Sequence, residues 1–120
     1  MSTMSLRARV VATPASRREL VQALVGWAEA ARRAPGLLRA GVAEDVEVEA
    51  CFELFAEWEN EEDLEAHLLS DTFGVLMGAA EVLGLSVRVS VARTADEYGL
   101  DVIKKRREAR WAEAQRRREA

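Results

Sequence analysis

The chain has 120 residues, 49% of them hydrophobic, with two prolines and a formal net charge of −4. This composition calls for one packed domain and excludes a low-complexity or disordered chain. Residues 1–10 carry Arg7 and Arg9 with no apolar core or small-residue cleavage site, and no run approaches the roughly 20 apolar residues of a membrane span, so a cytoplasmic protein is expected. Cys51 is the single cysteine and His67 the single histidine, which excludes an intrachain disulfide, a thiolate metal cluster and a multi-histidine metal centre built from one chain.

Leu6–Thr13 reads as a strand with Leu6, Ala8, Val10 and Ala12 on one face and Arg7, Arg9, Val11 and Thr13 on the other, stopping at Pro14. Ser16-Arg17-Arg18-Glu19 has the pattern of a capping box, and the helix it opens places Leu20, Leu24, Trp27, Ala28 and Ala31 on one face before Pro35-Gly36 ends it. A weaker strand follows over 37–46. The next strand, over 48–58, sets Phe52, Leu54, Ala56 and Trp58 on one face and Cys51, Glu53, Phe55 and Glu57 on the other. Cys51, inside an apolar strand and among glutamates, reads as a buried, inert thiol.

Asn60 caps a helix with Asp63 in its first turn, and Leu64, His67 and Leu68 share one face of it. Ser70-Asp71-Thr72 caps a continuation or restart, on which Val75, Leu76, Ala79 and Leu83 form the expected apolar stripe, with Gly84 as the C-terminal glycine. Residues 85–91 alternate Leu85, Val87, Val89 and Val91 with Ser86, Arg88 and Ser90, giving the last strand. Beyond Thr94 the composition changes, and 100–120 reads as a helix whose thin apolar content is Leu100, Ile103 and Trp111 with alanines.

Charge divides along the same line. Residues 104–120 hold eight Lys or Arg against three Glu, a net of +5, which leaves −9 for the remainder; Glu44–Glu65 alone contains eleven acidic residues and no basic one. A nucleic-acid arm is the less favoured reading, because the domain behind it would repel a phosphate backbone. The basic tail is better read as packing over the acidic domain of its own chain or of a partner subunit.

The order β-α-β-β-α-β fits a ferredoxin-like α+β domain, a four-stranded antiparallel sheet with both helices on one face, over 1–94, followed by a basic helical tail over 95–120. Phe55, Cys51 and Val11 would then lie on a bare sheet face, and a homodimer through that face is expected.

Three runs carry a resemblance: Ala34-Pro35-Gly36-Leu37-Leu38, Phe52 through Asn60, and Asp63 through Phe73. Over roughly residues 6–93 the chain resembles the antibiotic biosynthesis monooxygenase (ABM) family of dimeric α+β barrels. The most specific feature is a strand-end aromatic, Trp58, followed nine residues later by His67 and then by a small residue and Phe73. The resemblance implies a pocket between sheet and helices lined by Trp58 and His67. Members of the family oxygenate polyketide phenols without a cofactor, oxidise quinols, degrade haem, carry out isomerase-type chemistry or have no known activity, so it implies a site rather than one reaction. Here the first strand has no asparagine of the haem-degrading kind, and Leu54 and Leu64 stand where the polyketide oxygenases have an amide and a tyrosine.

The resulting expectation is a cofactor-independent monooxygenase of a small aromatic or quinol-type substrate, with no cofactor and no metal. His67 is its acid/base or orienting group, and Trp58, Leu54, Leu64, Phe73 and Arg88 are its substrate-binding residues. The alternative is a non-catalytic dimeric module that binds a small apolar or aromatic ligand. In that case Trp58 is a core residue, His67 is hydrogen-bonded to backbone or carboxylate, and Arg88 is a solvated arginine. Neither membrane nor nucleic acid is an expected partner.

Overall fold

The computed structural model describes residues 2–95 and 97–119, the side chains of 84 and 85 excepted. The place of Leu85 in the expected alternation of the last strand lies outside these residues, as do positions 1, 96 and 120 of the expected segments. Chain order runs β1 Thr3–Ala12, a 3-10 turn Pro14–Ser16, α1 Arg17–Ala31, β2 Leu37–Glu44, β3 Cys51–Trp58, α2 Glu61–Leu68, α3 Asp71–Leu83, β4 Gly84–Thr94 and α4 Leu100–Glu119. The strands form one antiparallel sheet in the order β2-β3-β1-β4, the ferredoxin-like arrangement with its second helix broken in two and a C-terminal helix added. Among the described residues no helix is long and apolar enough to cross a membrane.

The core forms where the period-2 faces of β1 and β3 meet the helices. Leu6, Ala8, Val10, Leu54, Ala56 and Trp58 pack against Leu20, Leu24 and Trp27 of α1, Leu64 of α2 and Leu76 and Ala80 of α3, all buried. Full burial of one such leucine is worth about 1.5–3 kcal/mol.

Three local expectations change. The capping box does not form: Thr13 caps the 3-10 turn by accepting from the Ser16 amide, and Ser16 makes no side-chain cap to α1. Its hydroxyl instead reaches the carbonyl of Leu83 at 2.9 Å, tying the end of α3 to the start of α1. The connection between β2 and β3 is longer than read. Asp45 Oδ1 accepts from the amides of Glu47 and Val48, and these two backbone donors hold its carboxyl below the usual range, with the Arg9 guanidinium adding to the effect. That local turn takes 45–50 out of both strands. On α3 the buried residues are Phe73, Leu76 and Ala80, so of the expected stripe only Leu76 is buried, Ala79 and Leu83 are half-buried and Val75 is 72% exposed.

The open sheet face is also less apolar than expected. Cys51 is buried, Val11 and Phe55 are half-buried, and Arg39 lies over the Phe55 ring at 5.3 Å. Around them stand Arg7, Arg9, Arg88, Glu53 and Glu57, with Arg9 paired to Asp45 and Glu53 and Arg39 to Glu57.

Gly36 has φ +76° and accepts the Glu59 amide at 2.8 Å, and a Cβ there would run into the Asp63 carboxylate. Gly26, on the exposed side of α1, has open space around it. Gly36→Ala should therefore cost at least about 1–2 kcal/mol from the left-handed backbone alone, while Gly26→Ala should stabilise by up to about 1 kcal/mol as a helix-interior glycine replaced. Urea unfolding of both variants beside wild type checks the opposite signs.

Candidate functional site

The site grows from the β3–α2 junction. Trp58 ends β3 on its buried face, and Asn60 then caps α2, its Oδ1 accepting the Asp63 amide at 2.9 Å. Glu61, Glu62 and Asp63 occupy the first turn, where the helix dipole favours carboxylates. Two turns on, His67 falls on the inward face beside Leu64, and its ring lies against Trp58 with centroids 4.7 Å apart and planes at 35°. Ser70 breaks the helix there. Its hydroxyl donates to the His67 carbonyl at 2.6 Å and accepts the Phe73 amide at 3.3 Å, and the restart brings Phe73 edge-on to His67 at 5.5 Å.

The fourth ring comes from α1. Trp27 meets His67 at 6.0 Å and 63°, and its Nε1–H donates to His67 Nε2 at 3.0 Å. An indole N–H can only donate, so Nε2 carries the lone pair and the proton of the neutral imidazole sits on Nδ1. Burial holds the pKa of His67 below its ordinary value of 6.5. The Nε1–H of fully buried Trp58, the neighbouring ring, has no hydrogen-bond partner among the described residues.

His67 borders a cleft of about 300 Å³ between the end of α1 and the α2–α3 break, with Arg33, Pro35, Asp63, Ser70 and Thr72 on its walls. Trp27 borders a second cleft of about 440 Å³ between α1 and the start of α3, and Thr72 lines both. Leu54 and Leu64 lie fully buried in the core. Trp58, His67 and Phe73 are thus brought together, whereas Arg88 is opposite Arg9 on β4, exposed on the open sheet face. Sequence reasoning missed the role of Trp27. Its signal was an indole on a buried helix face, which needs an acceptor. Among the described residues no cluster of three His, Cys, Asp or Glu side chains could hold a metal ion.

A sheet carrying a split helix pair and a buried histidine behind its second strand end defines a ferredoxin-like α+β protein. Residues 3–78 match the ABM family, antibiotic biosynthesis monooxygenase, and the chain belongs to that family. No curated protein matches it. Among solved structures, a candidate antibiotic biosynthesis monooxygenase from Deinococcus radiodurans is 20% identical over 81% of this chain and 97% of its own, with a TM-score of 0.77. Rv0793 from Mycobacterium tuberculosis is 20% identical over 81% and 99%, with a TM-score of 0.73. A conserved protein of unknown function from Bacteroides thetaiotaomicron, described as a possible oxidoreductase, is 18% identical over 77% and 97%, with a TM-score of 0.72. These likenesses show the shared fold.

Because His67 is the only histidine, its imidazole signals titrate alone in a proton NMR spectrum. The wild-type pKa should lie below 6.5, and Trp27→Phe, which frees the Nε2 lone pair, should raise it. A depressed folded-state pKa means that folding stability is full above 6.5 and falls as pH drops below it, since only the unfolded chain then takes up the proton. Urea midpoints between neutral pH and pH 5 should decline in wild type and flatten in His67→Phe.

Proposed function

We propose that this chain is a cofactor-independent monooxygenase of a small phenol or quinol-type aromatic, with the reaction at the His67 cleft. The observation that carries the reading is the neutral, desolvated His67, enclosed by Trp27, Trp58 and Phe73 and bordering a cleft of about 300 Å³. Conversion of a phenol to a quinone by dioxygen balances without a cofactor. The ring gives up its phenolic proton and one C–H hydrogen, one oxygen atom becomes the new carbonyl, and the other leaves as water. His67 serves this chemistry by donating from Nδ1–H to the phenolate oxygen, which raises the fraction of the electron-rich anion. Trp58 lies behind the imidazole as its buried aromatic wall, outside the cleft itself. Phe73 packs edge-on to the imidazole, while Leu54 and Leu64 lie in the core behind it.

The reading extends to two copies pairing through their open sheet faces. Arg88 stands opposite Arg9 in the β1–β4 register, and since Arg9 is already paired to Asp45 and Glu53, Arg88 is the charge that a carboxylate of a second copy would meet.

One observation favours the second reading, a binding module without turnover. The only lone pair of the imidazole is engaged by Trp27, so proton abstraction by His67 requires that bond to open. Oxygen uptake with a panel of hydroquinones and polycyclic phenols separates the two. The enzyme should consume dioxygen with at least one of them, and His67→Ala should lower the rate by about 10²-fold or more. Saturable quenching of tryptophan fluorescence with no oxygen uptake by wild type would establish the binding module instead.

A further inference from the structure

We propose that α4 docks on the outer face of α2 in a second copy of this chain, the two copies exchanging their C-terminal helices. The family match ends at residue 78, and the solved relatives leave about a fifth of this chain without a counterpart. The helix therefore calls for its own explanation.

Nothing in its own body satisfies α4. It has no buried residue, Trp111 is 67% exposed, and its one ion pair among the described residues is internal, Arg117 to Glu113. The radius of gyration is 19.1 Å, against about 14 Å for a compact chain of this length. Most helical stability in proteins comes from packing an apolar face against a neighbour, which α4 lacks in its own body. Yet it presents an ordered face: Ile103, Arg106, Arg107, Arg110 and Trp111 recur at helical spacing, and Arg106 is set 4.4 Å over the ring of Tyr98.

The complement lies on α2. Its outward residues Glu62, Glu65, Ala66 and Leu69 follow the same spacing, Glu59 precedes them, and Leu69 is 88% exposed. Glu44, Asp45, Glu53, Glu57 and Glu61 are paired to arginines of the body, whereas Glu59, Glu62 and Glu65 have no ion pair among the described residues. Ile103 to Trp111 spans about 12 Å and Glu62 to Leu69 about 10 Å at the helical rise, so the arginines can meet Glu62 and Glu65 while Trp111 or Ile103 covers Leu69, with Glu59 just beyond the start of α2.

The same glutamates argue against nucleic acid. Glu59, Glu62 and Glu65 are carboxylates with no ion pair among the described residues, and they repel a phosphate backbone. A two-fold exchange satisfies both copies at once.

Lys104 and Lys105 are the only lysines in the chain, so apart from the N-terminal amine a carbodiimide can join carboxylates only to α4. At low salt the full-length protein should give a covalent dimer on a denaturing gel, with Lys104 or Lys105 mapped to Glu59, Glu62 or Glu65. The yield should fall about tenfold in the triple variant Arg106→Glu, Arg107→Glu, Arg110→Glu and in wild type at high salt, and persist with lysine at the same three positions. Sheet-face pairing alone does not produce these links. Links confined to single chains would place α4 on its own body and overturn the exchange. So would an unchanged yield after charge reversal, or arginine-dependent binding of single-stranded DNA without a covalent dimer.

Discussion

The hydrogen bond from Trp27 Nε1 to His67 Nε2 is the contact on which the helical layer depends. Both groups are buried, on elements forty residues apart in sequence, and each satisfies a polar atom that would otherwise be stranded. Leaving one of them unpaired would cost about 1–3 kcal/mol. The bond fixes how α1 and α2 are rotated on the sheet, because each helix must aim a particular side chain at the other. It also fixes the imidazole tautomer and, with burial, keeps the ring neutral. One donor remains unmatched in this node, the Nε1–H of Trp58, which is stacked on the same imidazole. An unsatisfied donor beside a neutral histidine is the combination that a bound oxygen atom would complete.

The second constraint is that helices cover only one face of the sheet. The other face carries alternating charges, and Phe55 is shielded there because Gly41 opposes it on β2 without a side chain and Arg39 lies over it. A Cβ on Gly41 would sit 2.6 Å from the Phe55 ring, so the ring can lie across β2 in this position only over a glycine. The exposed pairs of Arg9 and Arg39 contribute little to stability in high dielectric, and they act mainly by setting which charges face outward.

Much of this was legible from the residues. The buried face of α1, the period-2 faces of β1 and β3, the Asn60 cap and the adjacency of Trp58 and His67 all follow from local periodicity and capping chemistry, which the tertiary fold does not oppose. The misreadings occur where a non-local partner competes. Ser16 has the right neighbours for a capping box, but the Leu83 carbonyl of a distant helix takes its hydroxyl. The stripe on α3 shifts because Ser70 restarts the helix with Phe73 facing inward, which turns Val75 to solvent. Trp27 was read as core alone, since the acceptor that completes it lies on another helix and no spacing rule connects the two.

The same node governs what the proposed reaction can do with a proton. With Nε2 engaged, His67 is a donor at rest, suited to holding a phenolate rather than to making one. Releasing Trp27 would free the lone pair and an indole N–H together, at a cost of about 1–3 kcal/mol for each group left buried and unpaired. Trp27 and His67 border different clefts that share Thr72, so the bond stands where the two openings approach each other. A substrate entering from the His67 side could offset the broken bond by accepting from one of the freed donors. Base strength and cleft width would then be one variable, and substrate binding, rather than bulk pH, would decide when the imidazole can accept a proton.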